Sequence, residues 1–217
     1  MPLLPYCVVL SDAAVVEPAC GVHEAQVEWL DESALRCFFS RLGTFAAGSA
    51  EALKEDALRF HSVLHGIFTQ AAVIPFRFPT TLESEQELRR FLNAGASSYR
   101  EALIRLRDLV QMELRVSIFR AESTTPSSGR EYLLARQAQA RLLAEGAAAA
   151  QAIARGLIQD WREHESKSAL RCYALVPRAD IGEFESRMRA LVLPKGVRMV
   201  VSGPWPATEF LEVRVGA

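Results

Sequence analysis

His61 and His65 stand four apart in a stretch with helical periodicity, a spacing that would turn two imidazoles toward one metal ion. Position 62 is Ser where an H-E-x-x-H zinc site carries Glu, and no third ligand can be named. The four cysteines, Cys7, Cys20, Cys37 and Cys172, include no C-x-x-C pair and no histidine at zinc-ligand spacing, so buried free thiols are expected. No G-x-S-x-G elbow, P-loop or G-x-G-x-x-G follows an expected strand, which leaves hydrolase, nucleotide and dinucleotide readings without their minimum parts. The acidic pairs Glu83 with Glu85 and Glu163 with Glu165 are expected at helix ends, where solvation or the helix dipole accounts for them. His23 and His164 sit among charged neighbours and read as surface residues. These patterns point to no catalytic residue, no metal and no cofactor.

Arg77 is the charge that needs an explanation. It lies in VIPFRFPTTL (73–82), between two prolines that cannot donate ladder hydrogen bonds, so the segment reads as an edge strand or an extended connector. In a strand, alternation sets Arg77 opposite Ile74, Phe76 and Phe78. Two readings stay open: an arginine that lies over a domain junction and pairs with a helix carboxylate, or an anchor facing a partner, since arginine and aromatics are enriched at interface hot spots. SGPWPATEF (202–210) poses the same choice, with a Pro-Trp-Pro kink fixing Trp205 in a rigid turn, in packing or toward a partner. EGAAAAQAIARG (145–156) adds a third candidate, because the small side chains around Ala147, Ala150 and Ile153 would let another backbone approach closely.

Elements must position these residues. The 217 residues suit two small domains, and half of them are hydrophobic, as in ordinary globular chains. A formal net charge of −1 provides no field to draw in nucleic acid or an anionic membrane. The opening MPLLPYCVVL has no basic n-region and is too short to span a bilayer, so it reads as a strand over 6–10 in a cytoplasmic protein. Strands are also expected over 25–30 and 35–42, with Gly43 and Gly48 opening a loop. A helix over 50–70 follows, its buried stripe running through Leu53, Ala57, Phe60, Leu64 and Ile67 or Phe68. Thr81 or Ser84 caps a further helix, and a separate one covers 98–109.

MELRVSIF (112–119) alternates cleanly as a strand, and AESTTPSSGR (121–130) reads as a flexible loop. From Glu131 to about His164 the absence of proline and a line through Leu134, Ala138, Leu142, Gly146, Ala149 or Ala150, Ile153, Leu157 and Trp161 predict one helix of about nine turns. Strand 170–177, helix 179–192, strand 197–204 and a final strand 209–215 complete the chain. The resulting order, β-α-β-α-β-β, suggests an α+β sandwich with helices on one face of a mainly antiparallel sheet.

LPYCVVL, ALRFHSVLHGIFTQAAVIPFRFPTTLESEQELRRFL, VQMELRVSIF, GREYLLARQAQ, LRCYALVPRADIGEF and GPWPATEFL follow one another in an order that resembles the gas vesicle protein GvpL/GvpF family. IPFRF-x-T and GPWP are the most specific pieces. The family pattern runs Arg-Phe-Gly-Thr where this chain has Arg77-Phe78-Pro79-Thr80, and a Glu-Trp pair that commonly starts the central strand is here Met112-Glu113-Leu114. The departures suggest a divergent branch and leave F-type and L-type roles open. The resemblance implies two domains: an N-terminal α/β domain with a small sheet (1–110) and a C-terminal modified ferredoxin-like α+β domain with a long helix (111–217). It further implies a non-enzymatic role in gas vesicle formation, located with the vesicle. The implied partners are the small hydrophobic major shell protein and other accessory proteins, with the protein acting as an assembly factor or as a minor component of the wall or its gas-facing side. Phe76, Arg77, Phe78, Trp205, Ala147, Ala150 and Ile153 are then the residues expected to face a partner or to support such a surface.

Overall fold

A strand that is apolar at nearly every position must be covered on both faces, and LLPYCVVL is such a strand. In the computed structural model, which describes residues 1–16, 18–43, 49–119, 128–166 and 169–212, it forms β1 (Leu3–Leu10), buried from Leu3 to Val9. β2 (Val27–Glu32) and β3 (Leu35–Arg41) form a hairpin, β4 is the two-residue strand Ile74–Pro75, and the antiparallel sheet has the order β2-β3-β1-β4. The hairpin turn is made by Ser33 and Ala34 at φ 53° and 63°, left-handed values that are usually left to Asn-Gly. On one face of this sheet, Leu35, Cys37 and Phe39 join Leu3, Val8 and Ile74 in a core with Leu88, Leu92, Tyr99 and Leu103 of helix α2 (Glu85–Arg105). Tyr6 and Ser40 point to the other face, where the Tyr6 ring lies 5.0 Å from Phe60 of α1 (Ala50–Phe68).

Tyr6 is the hub of that second face. Its buried hydroxyl donates to Ser40 Oγ at 3.0 Å and accepts the Val22 amide at 3.0 Å, and Ser40 donates on to the Gln26 carbonyl at 2.9 Å. Burial raises the Tyr6 pKa.

The helix starts follow cap chemistry. Ser49 Oγ accepts the Ala52 amide, and Ser84 Oγ accepts the Glu87 amide while the Glu87 carboxylate accepts the Glu83 amide, a variant of the capping box. The α1 interior differs from expectation: the buried residues are Phe60, Val63, Ile67 and Phe68, while Leu53 is exposed. The helix packs only along its second half, so its early leucine lies beyond the sheet residues it covers. α2 is also one continuous helix and not two. Asn93 and Gly95 are weak helix formers, and the helix runs through them because Leu88 and Leu92 before and Tyr99 and Leu103 after are buried on one face; Gly95 leaves the space in which the Tyr99 ring lies, since a Cβ there would stand 2.2 Å from that ring.

The chain divides into two compact units, one comprising Met1–Asp108 joined by Phe210 and Leu211, the other Leu109–Glu209. The second unit orders β5 (Leu109–Ile118), α3 (Gly129–Ile153), β6 (Asp160–Glu165), β7 (Ala169–Pro177), α4 (Ile181–Ala190) and β8 (Val197–Trp205). All its strand pairs are antiparallel, in the order β6-β7-β5-β8, which is the β-α-β-β-α-β ferredoxin-like arrangement.

That order corrects the expected one. α3 ends at Ile153 with Ala154 as its C-cap, and Gly156, at φ +86°, turns the chain out of the helix. Trp161, Glu163, His164 and Glu165 therefore lie in β6, a polar edge strand, and not on a helix. Within α3 the buried residues are Gly146, Ala147 and Ala150, whereas Leu134 and Ala138 are exposed. Thr208–Phe210 form a single 3-10 turn where a final strand was expected, and 213–215 lie outside the described residues, as do Gly48 and most of 121–130.

Candidate interaction surface

The proline-bracketed segment is a clip over β1. Ile74 and Pro75 pair with Val8 and Cys7, the Phe76 amide donates to the Tyr6 carbonyl at 2.9 Å, and Leu82 exchanges two backbone hydrogen bonds with Leu3 at 2.7 and 2.9 Å. Between these anchors the Thr80 amide closes a turn onto the Arg77 carbonyl at 2.8 Å, next to a cis Phe78–Pro79 bond. The strand thus stops at Pro75, and the expected shared face for Phe76 and Phe78 does not form. Phe76 is buried 5.1 Å from the Phe91 ring of α2, while Phe78 is half-buried 5.3 Å from the Phe60 ring of α1. Arg77 is exposed at the tip of the turn, and among the described residues it has no carboxylate partner, so the helix-carboxylate pairing, one of its two readings, is not seen there.

The charged groups nearby do pair. Arg41 reaches Glu28 at 3.1 Å and also Glu85, which, with Glu28, raises its pKa. Arg59 binds Glu24 and lowers that carboxyl's pKa; Arg89, with Asn93, does the same for Glu32. These are exposed pairs of modest energetic weight.

In the second unit the small-residue face serves the unit's own packing. A Cβ at Gly146 would stand 3.1 Å from Val116 and 3.2 Å from Val197, and Ala147 and Ala150 are 1% and 0% exposed. What closes on α3 is therefore the side-chain layer of the sheet, Val116 of β5 and Val197 of β8, and not another backbone, and Ile153 at the helix end is half-buried. Trp205 is the last residue of β8 and not part of a separate rigid turn: it pairs with Gln111 past a bulge, and its Nε1 donates to Ser202 Oγ at 3.4 Å. Pro204 fits inside β8 because β8 is an edge strand. The seven singled-out residues thus fall into two groups, Phe76 to Phe78 on the clip of the first unit and Ala147, Ala150, Ile153 and Trp205 in the second.

The structure shows surface that the sequence reading missed. Residues 129–138, the first turns of α3, are exposed on every side, and among them Tyr132, Leu133 and Leu134 are 53%, 60% and 56% exposed. Three consecutive residues point about 100° apart on a helix, so nothing described covers this stretch from any direction. Helical phase gives no warning of it, since Tyr132 falls on the same side of the helix as Gly146 and is exposed all the same.

None of the histidines and cysteines belongs to the clip or to the start of α3. His61 and His65 stack on exposed α1 with centroids 6.1 Å apart, and no group of three potential metal ligands occurs among the described residues. His23 contacts Asp56 at 3.0 Å, and His164 lies 3.6 Å from Glu209. Cys7, Cys37 and Cys172 are buried, and burial raises their thiol pKa values, that of Cys172 to about 12. Cys20 differs from expectation: it is exposed, in the loop whose bridge to Gln26 precedes β2. No helix among the described residues is long and apolar enough to cross a membrane.

No curated protein matches the chain. The fold is shared with the crystal structure of the gas vesicle protein GvpF from Anabaena sp. PCC7120, at 12% identity and a TM-score of 0.74, covering 100% of this chain and 98% of that one. The crystal structure of gas vesicle protein GvpF from Microcystis aeruginosa is similar as well, at 12% identity and a TM-score of 0.68, covering 98% of this chain and 99% of that one. The family described as gas vesicle synthesis protein GvpL/GvpF matches residues 3–212, and with nearly the whole chain inside that match, this protein belongs to the GvpL/GvpF family.

Proposed function

We propose that the chain is a non-catalytic assembly factor for gas vesicles. It binds the small hydrophobic shell protein, or another accessory protein, and keeps its apolar surface from aggregating until it is built into the wall. The observation that carries this reading is the bare start of α3, where Tyr132, Leu133 and Leu134 present apolar surface that a folded chain ordinarily covers. Within a family of gas vesicle synthesis proteins, a partner from the same system is the natural cover. The protein then acts in the cytoplasm, in association with the growing vesicle. Of the residues singled out by sequence, Arg77, Phe78 and Trp205 are accessible enough to touch a partner directly. Phe76, Ala147 and Ala150 are buried and contribute by holding the elements of their own units, and Ile153 is half-buried at the far end of α3.

Co-expression of the tagged protein with the major shell protein tests this. The expected result is recovery of both in the soluble fraction, with much less shell protein recovered by the L133D/L134D variant. If the shell protein stays insoluble and unbound while the tagged protein folds normally, direct shell binding is wrong, and the other accessory proteins are the partners to try. Retention at fixed stoichiometry in washed vesicles would instead make the protein a component of the wall.

A further inference from the structure

The two helices of the second unit cover their sheet unevenly. α3 packs on β5, β7 and β8, and α4 packs on β7 and β8, which leaves β6 as a shelf beside α3. Between α3 and this shelf lies a cavity of about 340 Å³ with Ile118, Leu143 and Leu170 among its apolar lining. Its rims carry opposite charge: Arg136 on the α3 side, Glu163 and Glu165 on the β6 side. The rims do not bridge to each other. Neither Arg136 nor Glu165 has an ionic partner among the described residues, and Glu163 accepts only the Trp161 indole N–H, at 2.8 Å.

We propose that this groove between α3 and β6 receives an amphipathic helix of a partner protein, apolar along its contact stripe and basic along the flank that meets Glu163 and Glu165. The inference rests on the reading of the chain as a binding protein and names the site. Spacing favours a helix as occupant. Glu163 and Glu165 lie two residues apart on one face of a strand, about 6.6 Å along it. Two lysines at i and i+4 of a helix rise about 6 Å and match that separation. On the opposite rim Arg136 would meet an acidic residue of the same helix.

The exposed side chains at the start of α3 fall into place as the continuation of the groove. Tyr132 and Leu133 stand four and three residues before Arg136, and Gln139 and Ala140 three and four after it, so all share the helix face that lines the cavity. A partner helix lying along the groove would run onto Tyr132 and Leu133. β6 itself carries Asp160, Glu163 and Glu165, the kind of charged edge that discourages addition of another strand.

The test uses the full chain and a labelled 18-residue helical peptide with a leucine stripe, two lysines four apart on one flank and glutamates on the other, followed by fluorescence anisotropy. The wild-type chain should bind it, and the E163K/E165K variant should bind it at least about tenfold more weakly. A peptide whose lysines are replaced by glutamate should show the reverse preference. Circular dichroism melts confirm that the variant is folded, and A140W, which fills the groove without changing charge, should abolish binding of both peptides. No binding by the wild-type chain, or equal binding by all three chains, overturns the proposal. Co-expression with gas vesicle proteins separates the two levels: undiminished capture by E163K/E165K and A140W refutes the groove while leaving the assembly role standing. Capture lost in both variants supports the groove. If the wild-type chain captures none of these proteins, the assembly role falls, and the peptide titration still decides the groove.

Discussion

Replacing Tyr6 by Phe keeps the ring that packs on Phe60 and removes one oxygen, which isolates the polar hub of the first unit. The oxygen makes two hydrogen bonds, to Ser40 Oγ and from the Val22 amide, and Ser40 retains its bond to the Gln26 carbonyl when the phenol is gone. Val22 is 0% exposed, so its amide is left buried without an acceptor. Losing a net bond costs about 1 kcal/mol and stranding a buried donor about 1–3 kcal/mol, so Tyr6→Phe should destabilise by about 2–4 kcal/mol. At about 2–4 °C per kcal/mol for a chain of this size, the Tm should fall by about 4–16 °C in scanning calorimetry at neutral pH. The same variant should flatten the alkaline limb of stability. Because burial raises the Tyr6 pKa, its contribution is complete below the unfolded value near 10 and is lost as pH rises through the folded value. A Tm change under about 2 °C at neutral pH would refute the claim that the hydroxyl bridges β1, β3 and the Val22 loop.

Thiol alkylation of the native protein at neutral pH should modify Cys20 quickly and leave Cys7, Cys37 and Cys172 untouched until unfolding, as read by peptide mass mapping. Phe78→Ala removes a half-buried ring from Phe60 and should cost about 2–3 kcal/mol in urea denaturation, whereas Arg77→Ala at the exposed tip should change stability by less than about 0.5 kcal/mol. Ala135→Pro should melt the bare start of α3, lowering far-ultraviolet helicity by a few residues with the Tm shifted by less than about 2 °C, because no described packing is lost there.

Residues that alternate or recur strongly announced their elements. MELRVSIF forms the central β5, and Ser84 caps α2 through its own hydroxyl. Weaker local signals misled for physical reasons. β6 is DWREHE, an edge strand whose charged residues give no apolar period, and the preceding alanine-rich stretch let a helical reading run through it. Gly156 carries the stop signal, but a glycine's left-handed turn shows only in its φ. The clip at 73–82 was legible as an edge element because prolines at 75 and 79 forbid ladder donation, yet the opposite destinations of Phe76 and Phe78 depend on where the two helices lie. The bare helix and the charged groove were hidden for another reason. Leucines at helical spacing look alike whether or not a sheet extends beneath them.

Phe210 is fully buried in the first unit, and its carbonyl accepts a hydrogen bond from Arg105 at 2.8 Å. The consequence falls on synthesis at the ribosome. Asp108 and Phe210 are separated by the whole of the second unit, so the nascent first unit waits for about 100 further residues before its last core side chain exists. At about 5–20 residues per second that wait is on the order of 5–20 s. Throughout it, the sheet of the first unit has its helices but an open place in its core, while the second unit has every one of its strands and helices before translation ends.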